Sequence, residues 1–233
     1  MIILVLNKLA DVLELQNELT KISDVKSIYL NINKSNKSIL GTESYLLFGK
    51  EFLIEEYDDI ALPFNDQSFL QINTNIANQV YQIIKNHVPN NKIVIDAYSG
   101  VGGIGSIVSK NAKKVYLLES NLASVNISRN IVNDYNFKNI EVIQGDVIHT
   151  IKEIDGDILI VDPPRSGLNN KFIETILSKD IKKIIYLSCD IKSQARDIDL
   201  LSSKYEISNV YPIKMFYQTT SIENLIILNK KSA

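Results

Sequence analysis

Between Lys92 and Cys189 five short apolar runs follow one another at similar intervals: IVIDAY (93–98), KVYLLES (114–120), IEVIQGD (140–146), DILIVDPP (157–164) and KIIYLSC (183–189). The stretches between them have helical length and pattern, and TNIANQVYQIIKNHV, just before the first run, is expected to be a helix with Thr74 as its cap. Strands that alternate with helices make βαβ units, and βαβ units make a parallel sheet. Two last apolar stretches, ISNVYPIKMF and NLIILNK, leave little room for a crossover helix and predict an antiparallel hairpin closing one edge.

The pattern changes near Pro63 to Asn73. Before it, residues 8–22 carry apolar side chains at helical spacing, and VKSIYLNINK, SYLLF and EFLIEEY have the look of short strands separated by Asn, Ser and Gly turns. We therefore expect a small α+β lobe over residues 1–63 and a larger α/β unit over 64–233. The opening MIILVL is apolar, but Asn7, Lys8 and Asp11 interrupt it well short of the ~18 to 20 residues of a membrane span. No basic segment precedes it as in a signal peptide, so the expectation is a cytoplasmic monomer with no membrane partner. A single cysteine, Cys189, excludes an intrachain disulfide and any Cys-rich zinc or iron–sulfur site built from this chain alone. A net charge of −2 argues against generic electrostatic binding of nucleic acid while leaving room for a local basic patch.

In an open parallel sheet ligands bind beyond the carboxyl ends of the strands, which concentrates the chemistry in a few residues. Those ends are Asp96-Ala97-Tyr98-Ser99-Gly100-Val101-Gly102-Gly103, Glu119, Asp146, Asp162-Pro163-Pro164-Arg165 and Ser188-Cys189-Asp190. The glycine loop lets backbone approach a ligand closely, and Glu119, about 20 residues on, can take the hydroxyls of a ribose. There is no Gly-Lys-Ser/Thr for a triphosphate, and Asp96 and Asp146 would repel a pyrophosphate but suit a sulfonium or an adenine amino group. S-adenosyl-L-methionine fits these residues better than NAD or ATP.

Asp-Pro-Pro-Arg after an apolar strand resembles the fourth motif of class I methyltransferases. Together with SFLQINTN (68–75), SCDIKSQARD (188–197) and MFYQTTSIEN (215–224), it makes the chain similar to the bacterial RNA uracil-C5 methyltransferases, which form 5-methyluridine in ribosomal and transfer RNA. The likeness runs from about Lys26 to Lys230, and Ser-Cys-x5-Ala-Arg-Asp is its most specific part. It implies a Rossmann-like class I methyltransferase fold with a small N-terminal α+β lobe. It also implies S-adenosyl-L-methionine held by Gln71, Tyr98, Gly100, Glu119, Asp146 and Asp162, with Cys189 as nucleophile and Glu223 as base. Longer members carry a TRAM β-barrel and often four iron–sulfur cysteines, neither of which is in this sequence, so the chain resembles a shortened member or the C-terminal portion of one. The family's Met-Phe-Pro-x-Thr-x-His-x-Glu becomes Met215-Phe216-Tyr217-Gln218-Thr219-Thr220-Ser221-Ile222-Glu223, with Tyr217 and Ser221 replacing a proline and a histidine.

The chemistry asks for the same residue types. Uracil C5 is too weak a nucleophile to take a methyl group until a thiolate has added to C6, and a carboxylate must later remove the C5 proton. The helix beginning near Ile191 is expected to lower the pKa of Cys189. Lys192, Arg196 and Arg165 are candidate phosphate contacts, whereas His87 and His149 belong to no motif and are expected at the surface or at helix ends. Ribosomal RNA is the favoured substrate. The rivals are a transfer RNA methyltransferase, a truncated relative that binds RNA without efficient turnover, and an amino or DNA methyltransferase that uses DPPR without a covalent step.

Overall fold

The computed structural model describes residues 1–35, 38–68, 70–71, 73–220 and 222–232. Its largest element is a seven-stranded sheet made of β6 (Ile93–Ala97), β7 (Lys114–Glu119), β8 (Ile140–Gln144), β9 (Ile158–Val161), β10 (Lys183–Ser188), β11 (Tyr205–Ile213) and β12 (Glu223–Lys230). Consecutive residues of these strands point into opposite cores. Ile158 and Ile160 enter one cluster while Leu159 and Val161 enter the other, and Ile184 to Leu187 and Leu225 to Leu228 alternate in the same way. This explains why the strands appear in the sequence as unbroken apolar runs: both faces are covered. One face carries α2 (Thr74–Asn86), α3 (Gly103–Val108) and α4 (Leu122–Asp134), and the other α5 (Val147–Thr150), α6 (Asn170–Ser178) and α7 (Ile191–Leu201).

The strand order is β11-β12-β10-β9-β6-β7-β8. Five strands run parallel, and β12 runs antiparallel to both β10 and β11. The predicted hairpin at one edge is present, and its second strand lies inside its first. From β6 the chain winds outward first through β7 and β8, then crosses back to β9 and β10. Order therefore reverses between β6 and β9, which opens a crevice at their carboxyl ends.

The small lobe holds β1 (Ile2–Leu6), α1 (Leu13–Thr20), β2 (Ser27–Ile32) and β3 (Glu43–Gly49), with β1 parallel and β3 antiparallel to β2. The helix expected over 8–22 is shorter. The side chain of Asp11 accepts the Leu13 amide at 2.9 Å, which starts the helix late, and the apolar opening run is a strand that needs α1 as its crossover. A hairpin of β4 (Leu53–Tyr57) and β5 (Ile60–Phe64) follows. Its Tyr57, Ile60 and Leu62 lie in the same core cluster as α2 and α3, so residues 53–64 share a core with the chain after them. The division after residue 63 stands as a proposal about organisation.

Candidate active site

After Asp96 and Ala97 the chain turns through Tyr98 (φ 63°), Gly100 (φ 55°) and Gly102 (φ 84°) before α3 begins. Gly102 has no alternative: its backbone is left-handed, and a Cβ there would lie 2.8 Å from the Leu117 side chain. Tyr98 is a tyrosine held left-handed, its ring edge-on to Phe172 with centroids 5.8 Å apart. Backbone strain of this kind, of order 1 to 3 kcal/mol, persists where the surroundings over-determine it. The loop is fastened from two sides. Asp96 accepts the Gly105 amide at 2.8 Å, and Glu119, at the end of the adjacent strand, accepts the amides of Gly100 at 2.9 Å and Asn121 at 2.7 Å.

Under this loop, at the reversal of strand order, lies a cleft whose lining includes Gln71, Tyr81, Asp96, Tyr98, Gly100 and Asp162. Its electrostatics are dominated by two carboxyls. Burial raises the Asp96 pKa to about 8 against the pull of the Gly105 amide, with Asp162 and Glu119 adding to the rise. Burial likewise lifts Asp162 to about 7, with Glu223 adding to it. A cavity with these walls favours a cation.

Next to the cleft the sheet brings two distant segments together. Ser188 on β10 pairs with Asn224 on β12, which brings Cys189, one residue past the end of β10, and Glu223, the first residue of β12, within electrostatic reach of each other. Cys189 is exposed, and it lies within electrostatic reach of Asp162, Glu223 and Arg165. Here the expectation of a lowered thiol pKa needs correction. Partial burial and the Asp162 and Glu223 carboxylates push the thiol up, against a smaller opposing effect of Arg165. The amino end of α7 gives no visible help because it is already capped by an anion: the Asp190 carboxylate accepts the Ser193 amide at 2.8 Å. Burial also raises the Glu223 pKa.

Helix α7 holds this arrangement from behind. The buried Gln194 amide donates to the carbonyls of Tyr186 (2.9 Å) on β10 and Asn224 (3.1 Å) on β12, and accepts from the Asn224 side chain at 2.8 Å. Asp197, fully buried, accepts the Leu168 amide and the Tyr186 hydroxyl, each at 2.7 Å, and pairs with Arg196 at 2.6 Å. Arg196 also donates to the Ser166 carbonyl at 2.9 Å. Its Nε and Nη2 are thus occupied in fixing the segment after Asp-Pro-Pro-Arg, while the half-exposed side chain keeps Nη1 for a phosphate, a role that stands as a proposal.

Of the residues singled out in the sequence, Gln71, Tyr98, Gly100 and Asp162 line the cleft, and Cys189 lies within electrostatic reach of Glu223 and of Asp162 in that lining. Glu119 stands behind the loop and reaches the cleft through the Gly100 amide. Asp146 is exposed outside the lining and caps α5 by accepting the Ile148 amide at 2.8 Å. Asn73, not Thr74, caps α2: its side chain accepts the Ile76 amide while the Thr74 hydroxyl donates to Glu55. Asn73 also donates to the Met215 carbonyl at 2.8 Å, joining the start of α2 to the segment before Glu223. His87 ends α2 and lies 2.9 Å from the Tyr211 hydroxyl, and His149 lies in the last turn of α5. Phe69, Ile72 and Ser221 of the quoted motifs lie outside the described residues. Sequence reasoning missed Tyr81 and Gln194. The first sits at an apolar spacing in α2, and the second lies inside a motif noticed for its neighbours. Among the described residues no helix is long and apolar enough to cross a membrane.

The sequence profile of the tRNA (uracil-5-)-methyltransferases matches residues 8–231. The chain is 35% identical over 216 residues to an uncharacterized RNA methyltransferase of Staphylococcus aureus (strain N315), covering 89% of this chain and 48% of that protein. A corresponding protein of Fusobacterium nucleatum is 33% identical over 219 residues, 90% of this chain and 47% of its own. The chain spans about half the length of the curated relatives it matches. Among solved structures, the Pyrococcus abyssi tRNA (uracil-54, C5)-methyltransferase in complex with S-adenosyl-L-homocysteine superimposes with a TM-score of 0.74 at 28% identity, over 97% of this chain and 55% of that one. The Methanocaldococcus jannaschii tRNA m1G37 methyltransferase, at 17% identity and a TM-score of 0.69 over 99% of this chain and 73% of its own, shares the fold.

Proposed function

The chain belongs to the tRNA (uracil-5-)-methyltransferase family, and from that premise we propose that it binds S-adenosyl-L-methionine at the strand-order reversal and methylates C5 of a uracil in RNA through Cys189 and Glu223. The observation that supports the reading is that Cys189, just past the end of β10, lies within electrostatic reach of both Glu223 and Asp162. The cleft fits the family's cofactor. Burial raises the pKa of both Asp96 and Asp162 toward or above neutral pH, and a ligand bearing an ammonium and a sulfonium supplies the positive charge that favours their ionised forms. Gln71, Tyr98, Gly100 and Asp162 would surround it, with Glu119 beneath the loop and Asp146 at the rim. Glu119 spends its carboxylate on two backbone amides, yet an ionised carboxylate has about four acceptor positions, so capacity for a ribose hydroxyl remains. Bound there, S-adenosyl-L-methionine supplies an electrophilic methyl group.

The protein's part is to make C5 receive it. The Cys189 thiolate adds to C6 of the uracil, the C5–C6 π electrons pass to C5 and O4, and C5 becomes nucleophilic. Once C5 carries the methyl group, Glu223 accepts the C5 proton, the C5–C6 double bond re-forms, and the sulfur leaves C6 as thiolate. The raised pKa of Glu223 suits a group that must take a proton and then return it to solvent. Ribosomal RNA is our favoured substrate and transfer RNA the alternative.

RNA from cells lacking 5-methyluridine tests the reading: incubation with the protein and cofactor should introduce 5-methyluridine, and mapping its position names the RNA. A transcript carrying 5-fluorouridine at that position should stay covalently attached, because fluorine cannot leave as the proton does. The attachment should vanish in Cys189→Ala. Glu223→Gln should add and methylate ordinary RNA but stall before elimination, leaving a methylated adduct on a denaturing gel. Formation of 5-methyluridine by Cys189→Ala at the wild-type rate would refute the covalent route.

A further inference from the structure

Five tyrosines are buried in this protein: Tyr29, Tyr57, Tyr81, Tyr186 and Tyr205. Four of them spend their hydroxyls on a definite acceptor, namely the Glu51 carbonyl, the Gln71 carbonyl, the Asp197 carboxylate and the Ile181 carbonyl. Tyr81 is 6% exposed, lines the cleft, and has no hydrogen-bond partner for its hydroxyl among the described residues. Its ring packs on Tyr57 with centroids 5.3 Å apart. The ring is buried while the hydroxyl, without a protein partner among the described residues, opens on the cleft, where it is free to meet a ligand.

The surroundings specify the ligand atom. The carboxyls of Asp162, Asp96 and Glu223 all act on the Tyr81 phenol, and burial with these carboxyls raises its pKa well above the usual value, so it serves as a donor. The amino-acid end of S-adenosyl-L-methionine is a zwitterion. Its ammonium is suited to Asp96 and Asp162, and its carboxylate requires hydrogen-bond donors. The cleft side chains that can donate are Tyr98 and Ser99 on the glycine loop and, from the α2 side, the Gln71 amide just before the helix and the Tyr81 phenol within it. We infer that the Tyr81 hydroxyl is a cofactor-binding group that donates a hydrogen bond to the carboxylate at the methionyl end of the cofactor. The inference rests on the S-adenosyl-L-methionine reading given above and adds a residue and an atom to it.

Calorimetry with two probes separates the inference from its premise. S-adenosyl-L-homocysteine keeps the amino-acid end, and 5′-methylthioadenosine lacks it. Tyr81→Phe should bind the first about tenfold to a hundredfold more weakly than the wild type, the range for a hydrogen bond to a charged group, and the second within about twofold. The thermal midpoint of the ligand-free variant should be unchanged or higher. Equal affinity of both proteins for S-adenosyl-L-homocysteine would overturn the inference and leave the cofactor reading intact. An equal loss for both probes would also overturn it, because it would mark Tyr81 as packing. A wild type that binds neither probe would remove the cofactor reading and the inference with it.

Discussion

A thiol beside the Asp162 and Glu223 carboxylates keeps its proton to higher pH than a free cysteine, and Arg165 offsets only part of that effect. Thiolate is then the minor form at neutral pH, and its fraction grows about tenfold per pH unit below the thiol pKa. Covalent trapping of 5-fluorouridine RNA, measured at saturating RNA, should accordingly accelerate from pH 6.5 to 8.5, and Arg165→Met should displace the profile to higher pH. A profile flat across that range would contradict the role given to the two carboxylates. At this scale the sequence shows which residues end strands, because order along the chain determines it; Asp96, Asp162 and Cys189 could be named without coordinates. The occupation of Arg196 could not. Its partners are its own neighbour Asp197 and the Ser166 carbonyl, thirty residues away, and only the packing of α7 on the loop after β9 brings them together.

The elements themselves were largely written in the apolar periodicity. Each of the five runs is a strand of the main sheet, and the hairpin follows them as expected. The errors fall where tertiary partners decide. β1 has no meaning until β2 lies beside it, and the start of α2 depends on whether Asn73 or Thr74 can reach an amide while holding a second contact. Helix α7 shows how one such contact supports the chemistry. The reciprocal amide pair of Gln194 and Asn224 ties the helix behind Cys189 to the strand that carries Glu223. Gln194→Leu and Asn224→Leu should each cost about 1 to 3 kcal/mol, because each strands a buried polar partner. Urea denaturation of the double variant should show a loss smaller than the sum of the two. Strict additivity would mean that the pair does not act as a unit.

For the whole molecule, the acidic cleft links ligand and pH. Asp96 and Asp162 titrate at about 8 and about 7 in the folded chain, against an ordinary aspartate value near 3.8. Both bind protons more tightly when folded, so their contribution to stability is complete below the unfolded value and is lost as pH rises through the folded values. The thermal midpoint of the ligand-free protein should therefore fall between pH 5.5 and 8.5, and a saturating cationic ligand should flatten the fall. A midpoint that rises with pH over that interval would show that the two carboxyls are not buried as described. The order of strands carries a different consequence, for the time at which the protein is made. β12 leaves the ribosome after the other six strands of its sheet, yet it fills an interior place between β10 and β11. Until residues 223–230 emerge, β10 presents an open row of amides and carbonyls to any passing strand, a known hazard of unprotected edges. The same eight residues that close this gap bring Glu223, so the nascent chain acquires its protection against mispairing and its proposed base in a single step.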